Sequence, residues 1–138
     1  MGPRRVSHVL VLLTALALGP AAGVRAQSAA PAAWQATPAS VLKGALRSAA
    51  AAQARYRDVK GSYASSIEPL ALRLESGVRV EILRAGPGGW QAKARHIGQP
   101  GRSCVVFVGS LDGAEAPRTD GDHEMAGEEG IPLCDRMR

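Results

Sequence analysis

Aromatic residues are scarce in this chain, with one Phe, two Trp and two Tyr among 138 positions. A core must therefore be assembled from Ala, Val, Leu and Ile. The stacking platforms on which single-stranded nucleic acids rest are also missing, and no Lys or Arg cluster is interleaved with aromatics. Histidine is nearly as rare, three in all. The only cysteines are Cys104 and Cys134, too far apart in sequence for the C-x-x-C spacing of a redox or zinc motif. No apolar run approaches the roughly 20 residues of a membrane-spanning helix. The longest extends from Val9 to Leu18, and Gly19-Pro20 stops it.

That short run has a meaning of its own. Arg4-Arg5 precedes it and the small-residue site Val24-Arg25-Ala26 follows it, the arrangement of a cleavable signal peptide. Cleavage is expected after Ala26, with an unprocessed membrane anchor as the alternative. No Cys lies near the site to carry a lipid. Export places the two cysteines in an oxidising compartment, where they have one available pairing, Cys104 with Cys134. Thiols serving a metal or a redox cycle are the competing reading.

The net charge of +5 shrinks on processing. Arg4, Arg5 and Arg25 leave, so 17 Lys and Arg become 14 against 12 Asp and Glu, about +2. The basic balance of the precursor thus gives no reason to expect nucleic acid as a partner. About 112 residues remain, enough for one domain with one modest core.

Residues 27–36 are rich in Ala with Ser and Pro and read as a flexible leader. Thr37-Pro38 is a helix start, an N-cap followed by proline at the first helical position. From there to Lys60, Leu42, Ala45, Leu46, Ala49, Ala52, Gln53 and Tyr56 recur at helical spacing, and Gly61 supplies the C-cap. The alanines from Ala49 to Ala54 suit close packing, or alternatively a seam for like subunits. Between Ser62 and Ser76, Ile67, Leu70, Leu72 and Leu74 are expected to plug the base of the core, with a helical turn begun by Ser65 or Ser66.

Strand patterning follows. Val78-Arg79-Val80-Glu81-Ile82 alternates apolar with charged residues, and Trp90, Ala92, Ala94 and His96 alternate around Gln91, Lys93 and Arg95. The glycine-rich stretch from Ala85 to Gly89 joins them as a hairpin. Cys104 to Gly109 is a third, better buried strand. One long N-terminal helix and then a meander predict an α+β fold, the helix lying on a three- to four-stranded antiparallel sheet. Residues 112–130 are acidic, rich in Gly, Pro and Ala and aperiodic, and read as a solvated surface loop before Ile131-Pro132-Leu133-Cys134 returns to the body.

Recognisable chemistry was sought in these segments, and each motif fails at a named residue. Asp120, Asp122 and Glu124 occupy the first ligand places of an EF-hand loop, but Met125 stands at the turn glycine and Ile131 at the bidentate Glu. A calcium site of another kind, using Asp112, Glu115, Asp120, Asp122 and Glu124, stays open. His123-Glu124 begins an H-E-x-x-H sequence that Gly127 breaks, and Gly86-Pro87-Gly88-Gly89 lacks the last glycine of a dinucleotide fingerprint. Ser103 lacks the closing glycine of a nucleophile elbow. His96, on the apolar side of its strand, reads as a hydrogen-bonded structural residue. No acid and base pair is placed by a motif, so the expectation is a non-enzymatic protein with no catalytic, metal or cofactor residues; a small hydrolase would need a constellation that the sequence does not display.

Four pieces together resemble the globular domain of type IV pilins and pseudopilins. The helix end Ala52-Gln53-Ala54-Arg55-Tyr56 with Gly61-Ser62-Tyr63 is similar to the A-x-x-Y and G-x-Y pattern of pilin helices entering their first loop. The runs Gly77 to Ile82, Gly89 to His96 and Cys104 to Gly109 resemble the sheet strands. Gly130-Ile131-Pro132-Leu133-Cys134 resembles the cysteine that closes the disulfide-bounded C-terminal loop. The prepilin leader and its long apolar helix have no counterpart, since the apolar run here has neither a Phe start nor a Glu and ends at Gly19-Pro20. The sequence looks like a pilin head without its spine.

The signal-peptide pattern, the leader composition and the resemblance together divide the chain into a signal peptide at 1–26, a leader at 27–36 and a pilin-like domain at 37–138. It implies a periplasmic or secreted protein acting through protein partners, among them components of a pilus or a type II secretion apparatus, without nucleic acid and without membrane after processing. The alternative is a freestanding binding domain with calcium or a small ligand in the loop at 112–130.

Overall fold

The computed structural model describes residues 36–137. The expected signal peptide, and all of the expected leader except Ala36, lie outside these described residues.

Helix α1 spans Pro38–Lys60. The Thr37 Oγ1 accepts the Ser40 amide at 3.2 Å, satisfying one of the donors a helix start leaves unpaired, and Pro38 has no amide proton to satisfy. At the other end Gly61 adopts a left-handed conformation at φ 75° and donates to the Arg57 carbonyl, while Arg57 and Lys60 face the negative end of the helix dipole. The expected stripe is the buried one: Leu42, Leu46, Ala49, Ala52 and Gln53. Because 35 residues precede it outside the described part, α1 opens the domain rather than the chain.

The connecting segment makes a short 3-10 turn at Glu68–Leu70. Ile67, not Ser65 or Ser66, occupies its cap position, without a side-chain capping bond. Ser66 instead bonds the Glu68 carboxylate and lowers its pKa.

Four strands follow: β1 (Val78–Ala85), β2 (Gly89–His96), β3 (Ser103–Gly109) and β4 (Leu133–Cys134). They form one antiparallel sheet in chain order, so every neighbour in the sheet is also the next strand in sequence. The first strand runs three residues beyond the alternating stretch that marks it in the sequence, through a register shift between Ile82 and Arg84. The β1–β2 turn lies against the end of β3. Gly109 has φ 70°, and a Cβ there would collide with the Gly88 carbonyl oxygen, so two strand ends approach where no side chain fits.

One face of the sheet meets the helix. Val78, Val80, Trp90, Ala92, Ala94, Cys104 and Val106 form a buried cluster with Leu42, Leu46 and Ala49. Small residues on β2 leave room for Leu42 and Leu46, both fully buried and each contributing about 1.5–3 kcal/mol. Trp90 fills the far end of this layer at 1% exposure, its ring 6.5 Å from that of Tyr63. A polar latch ties helix to connection: the fully buried Gln53 side chain accepts the Ala64 amide and donates to the Ala64 carbonyl, each at 2.8 Å.

The other face of β2 and β3 is covered by the C-terminal loop. Its side chains include Gln91, Lys93, Arg95, Ser103, Val105 and Phe107, and buried Pro117, Thr119, Ala126 and Pro132 come from the loop. The structure is thus an α+β fold of one helix packed on a four-stranded antiparallel sheet, with a structured loop as a third layer. No helix among the described residues is long and apolar enough to cross a membrane.

Candidate functional site

The C-terminal loop and the strand residues beneath it hold most of the polar chemistry of the domain. Its frame is covalent. Cys104 and Cys134 are paired in the disulfide expected from the sequence, directly opposite one another on β3 and β4 with Cα atoms 4.0 Å apart. The bridge closes on the helix side of the sheet, where the Cys134 sulfur approaches the Ala39 carbonyl.

The next residue anchors the loop from the other side. Asp135 is 3% exposed, and its carboxylate gathers amides from two strands of chain. Oδ2 accepts the Ser103 amide at 2.8 Å and the Gly121 amide at 2.9 Å, and Oδ1 accepts the Asp122 amide at 2.6 Å. The Thr119 side chain adds a further bond. The Asp135 amide donates to the Ser103 carbonyl at 2.9 Å, so backbone and side chain both grip the first residue of β3. Burial alone would raise the pKa of this carboxyl. The donors from Asp122, Thr119, Gly121 and Ser103 outweigh burial and lower it from 3.8 to about 2.

Around this hub the loop turns back on itself. Thr119 donates its amide to Glu124 and Ala126 donates to Pro117, with Arg118 bridged to Met125, a small hairpin whose tip is Asp120 to His123. His123 takes a left-handed conformation at φ 57°, uncommon for a residue with a side chain. The Ser103 hydroxyl accepts the Asp120 amide, a structural use of the serine that the sequence placed near a failed nucleophile motif.

Asp112, Glu115, Asp122, Glu124, Glu128 and Glu129 are exposed, as expected of a surface loop, but two of the loop's carboxylates are engaged by cations. Asp120 binds Lys93 Nζ and the Arg95 guanidinium, both on β2. Burial raises the Asp120 pKa, but these two cations more than reverse it, and Arg95 is raised in turn, chiefly by its bond to Asp120. Asp122 binds Arg102 and accepts the Arg136 amide, which is the first cause of its lowered pKa. The Glu129 carboxylate accepts the Gly109 amide at 2.6 Å. These ion pairs were not legible in the sequence because the cations lie 20 or more residues away, on β2 and just before β3. Gln91, Lys93 and Arg95, alternating with the core residues of β2, were the signal that a second layer covers that face.

Of the calcium candidates, Asp120 and Asp122 are therefore already satisfied by cations. No group of three or more His, Cys, Asp or Glu side chains suited to a metal comes together among the described residues. His96, half-buried at the end of β2, accepts the Gly98 amide on Nδ1 at 2.9 Å and so shapes the turn after its strand. His123 lies exposed at the loop tip and its carbonyl accepts from Arg118. Asp135, the residue on which the arrangement depends, carries no motif signal in the sequence; its one clue is its position directly after the cysteine.

Two hollows flank the loop. One, of about 510 Å³, is lined by Arg118, Glu124, Met125, Glu128 and Ile131 among others. The second, of about 320 Å³, lies at the β2–β3 connection and includes Arg79, Arg95, His96, Ile97, Pro100 and Arg102. No protein-family model matches the chain, and no curated protein matches it.

Proposed function

We propose that this is an exported, non-enzymatic protein whose pilin-like domain acts through protein contacts, as an accessory to a type IV pilus or a type II secretion apparatus. The observation that carries the reading is the layered arrangement. A long helix crosses an antiparallel meander, and the last strand is tied to the third by a disulfide that bounds a folded C-terminal loop. This supports the resemblance seen in the sequence and joins two of its features, the helix and the closing cysteine, in one body. A periplasmic or secreted location is part of the proposal, supported by the disulfide and by the signal-peptide pattern.

Loops on rigid scaffolds are where recognition concentrates. The C-terminal loop is held at both ends and at its tip, so it presents a fixed surface. A calcium-binding role for the same loop draws no support from the geometry, because Asp120 and Asp122 already bind cationic side chains.

Expression of the full chain in a bacterial host tests the reading in two steps. Intact mass is expected to show a chain beginning at Gln27 with no free thiol before reduction. Cross-linking in a host with the relevant apparatus is then expected to join it to pilus or secretion components. Retention of the N-terminal segment, free thiols, or cross-links confined to unrelated proteins would overturn it.

A further inference from the structure

We infer that the groove at the β2–β3 connection is a docking site for an acidic segment of a partner protein that also carries apolar side chains. The inference rests on the reading that the protein works through protein contacts, and it supplies the chemistry of one such contact.

The first observation is a charge conflict. Arg79 on β1 and Arg95 on β2 are direct cross-strand partners. Like charges placed directly opposite one another on a sheet are unfavourable. Among the described residues, the carboxylates nearby offset the charge of Arg95 and leave Arg79 without a partner. Glu81 and Asp120 both bind Arg95, and Asp122 binds Arg102, whereas none of them pairs with Arg79. Arg79 is exposed and, among the described residues, has no carboxylate partner. A guanidinium facing water beside a second guanidinium is set to take an anion, and its planar fork matches a carboxylate at two points.

The second observation is apolar. Ile97 is 71% exposed and lines the same hollow with Pro100. It is held there rather than left to wander: its amide donates to the Gly77 carbonyl, Gly98 donates to His96, and Gln99 donates back to the His96 carbonyl. A fixed, exposed isoleucine beside an unpaired arginine fits a segment in which a carboxylate and an aliphatic side chain are neighbours. Nucleic acid fits less well, since no Phe, Tyr or Trp ring lines the hollow to stack a base.

Binding of a fluorescein-labelled peptide of alternating glutamate and leucine to the oxidised, exported protein, read by anisotropy, tests the site. Arg79→Glu is expected to weaken binding at least ~10-fold, and so is replacement of the peptide glutamates by glutamine. Ile97→Ser is expected to weaken it about 5-fold. Because Arg79→Glu removes a like-charge pair, its melting temperature should equal or exceed that of the wild type. A purely structural role for Arg79 would give the opposite, and Arg79→Gln repeats the comparison without charge reversal.

Failure of the peptide to bind at about 1 mM, equal binding by the Arg79 variants, or tighter binding of single-stranded DNA or anionic vesicles would overturn the inference. Export and cross-linking are separate readouts, so a failed groove and a failed pilus or secretion assignment remain distinguishable.

Discussion

Replacing Asp135 with asparagine changes the charge and acceptor pattern of the hub while leaving its size almost unchanged. In the wild type two oxygens serve three amides and the Thr119 side chain. Asparagine keeps one carbonyl, and its NH2 group must then face at least one amide donor. If the carbonyl stays at the Oδ2 position, Asp122 loses its acceptor; if it flips, Ser103 and Gly121 lose theirs. A buried unpaired donor costs about 1–3 kcal/mol, and charge-assisted bonds are lost as well, so Asp135→Asn should cost about 3 kcal/mol at neutral pH. Protonation gives an independent estimate. The folded pKa of about 2 lies below the ordinary 3.8, so the carboxylate stabilises the fold above pH 4 and that contribution falls away as pH drops through the folded value. The loss amounts to about 1 kcal/mol at pH 3 and about 2 kcal/mol at pH 2. Asp120 and Asp122 titrate in the same direction, and comparison with the variant removes their shared contribution. Urea unfolding followed by circular dichroism at several pH values should therefore show a gap between wild type and Asp135→Asn that narrows on acidification. A gap below about 1 kcal/mol at neutral pH, or one that does not narrow, would refute the account.

The remaining expectations concern other supports of the fold. Removing the disulfide by Cys104→Ala with Cys134→Ala should cost about 3–4 kcal/mol in the chain-entropy model, given the separation of 30 residues, and a loss under about 1 kcal/mol would show the loop is held without it. Gln53→Leu should cost about 2–4 kcal/mol in urea unfolding, because it leaves the buried Ala64 amide and carbonyl without partners. Gly109→Ala should lower stability by at least about 2 kcal/mol, since the residue is left-handed and its Cβ position is occupied by the Gly88 carbonyl; a neutral result would mean the turn relaxes freely. Calcium at about 5 mM should leave the melting temperature within about 1 °C, because a site at the loop would first have to break the Asp120 and Asp122 ion pairs, whereas a rise of several degrees would restore the calcium reading.

What was legible in the sequence was local. Thr37-Pro38 and Gly61 mark the ends of α1 because capping is settled within a few residues, and the alternation around Trp90 marks β2 because the strand period is visible in a single segment. The cysteine pairing was legible because only one exists. Strand β4 was harder, since two residues carry no period of their own and Leu133-Cys134 is a strand only through β3. The loop's ion pairs were hidden for the same physical reason on a larger scale. Its carboxylates read as a solvated segment, and most are exposed, while the cations that pair with Asp120 and Asp122 lie on β2 and just before β3. Asp135 was invisible because a buried carboxylate is defined by its donors, three of them backbone amides at positions 103, 121 and 122.

The thinness of the core accounts for much of this design. One helix covers one face of the sheet, and among the described residues no second α-helix covers the other. The chain covers β2 and β3 there with irregular backbone, whose amides and carbonyls cannot pair in a ladder and would be left unsatisfied when buried. Asp135, Thr119 and Ser103 supply those partners, and Lys93, Arg95 and Arg102 pair with Asp120 and Asp122 of the loop. Asp120, Asp122 and Glu129 are thus engaged in holding the third layer together. The layer stops short of β1, where Arg79 is left opposite Arg95 with no carboxylate of its own. Positive charge without a carboxylate partner lies at that boundary, which is where a partner's carboxylate would gain most.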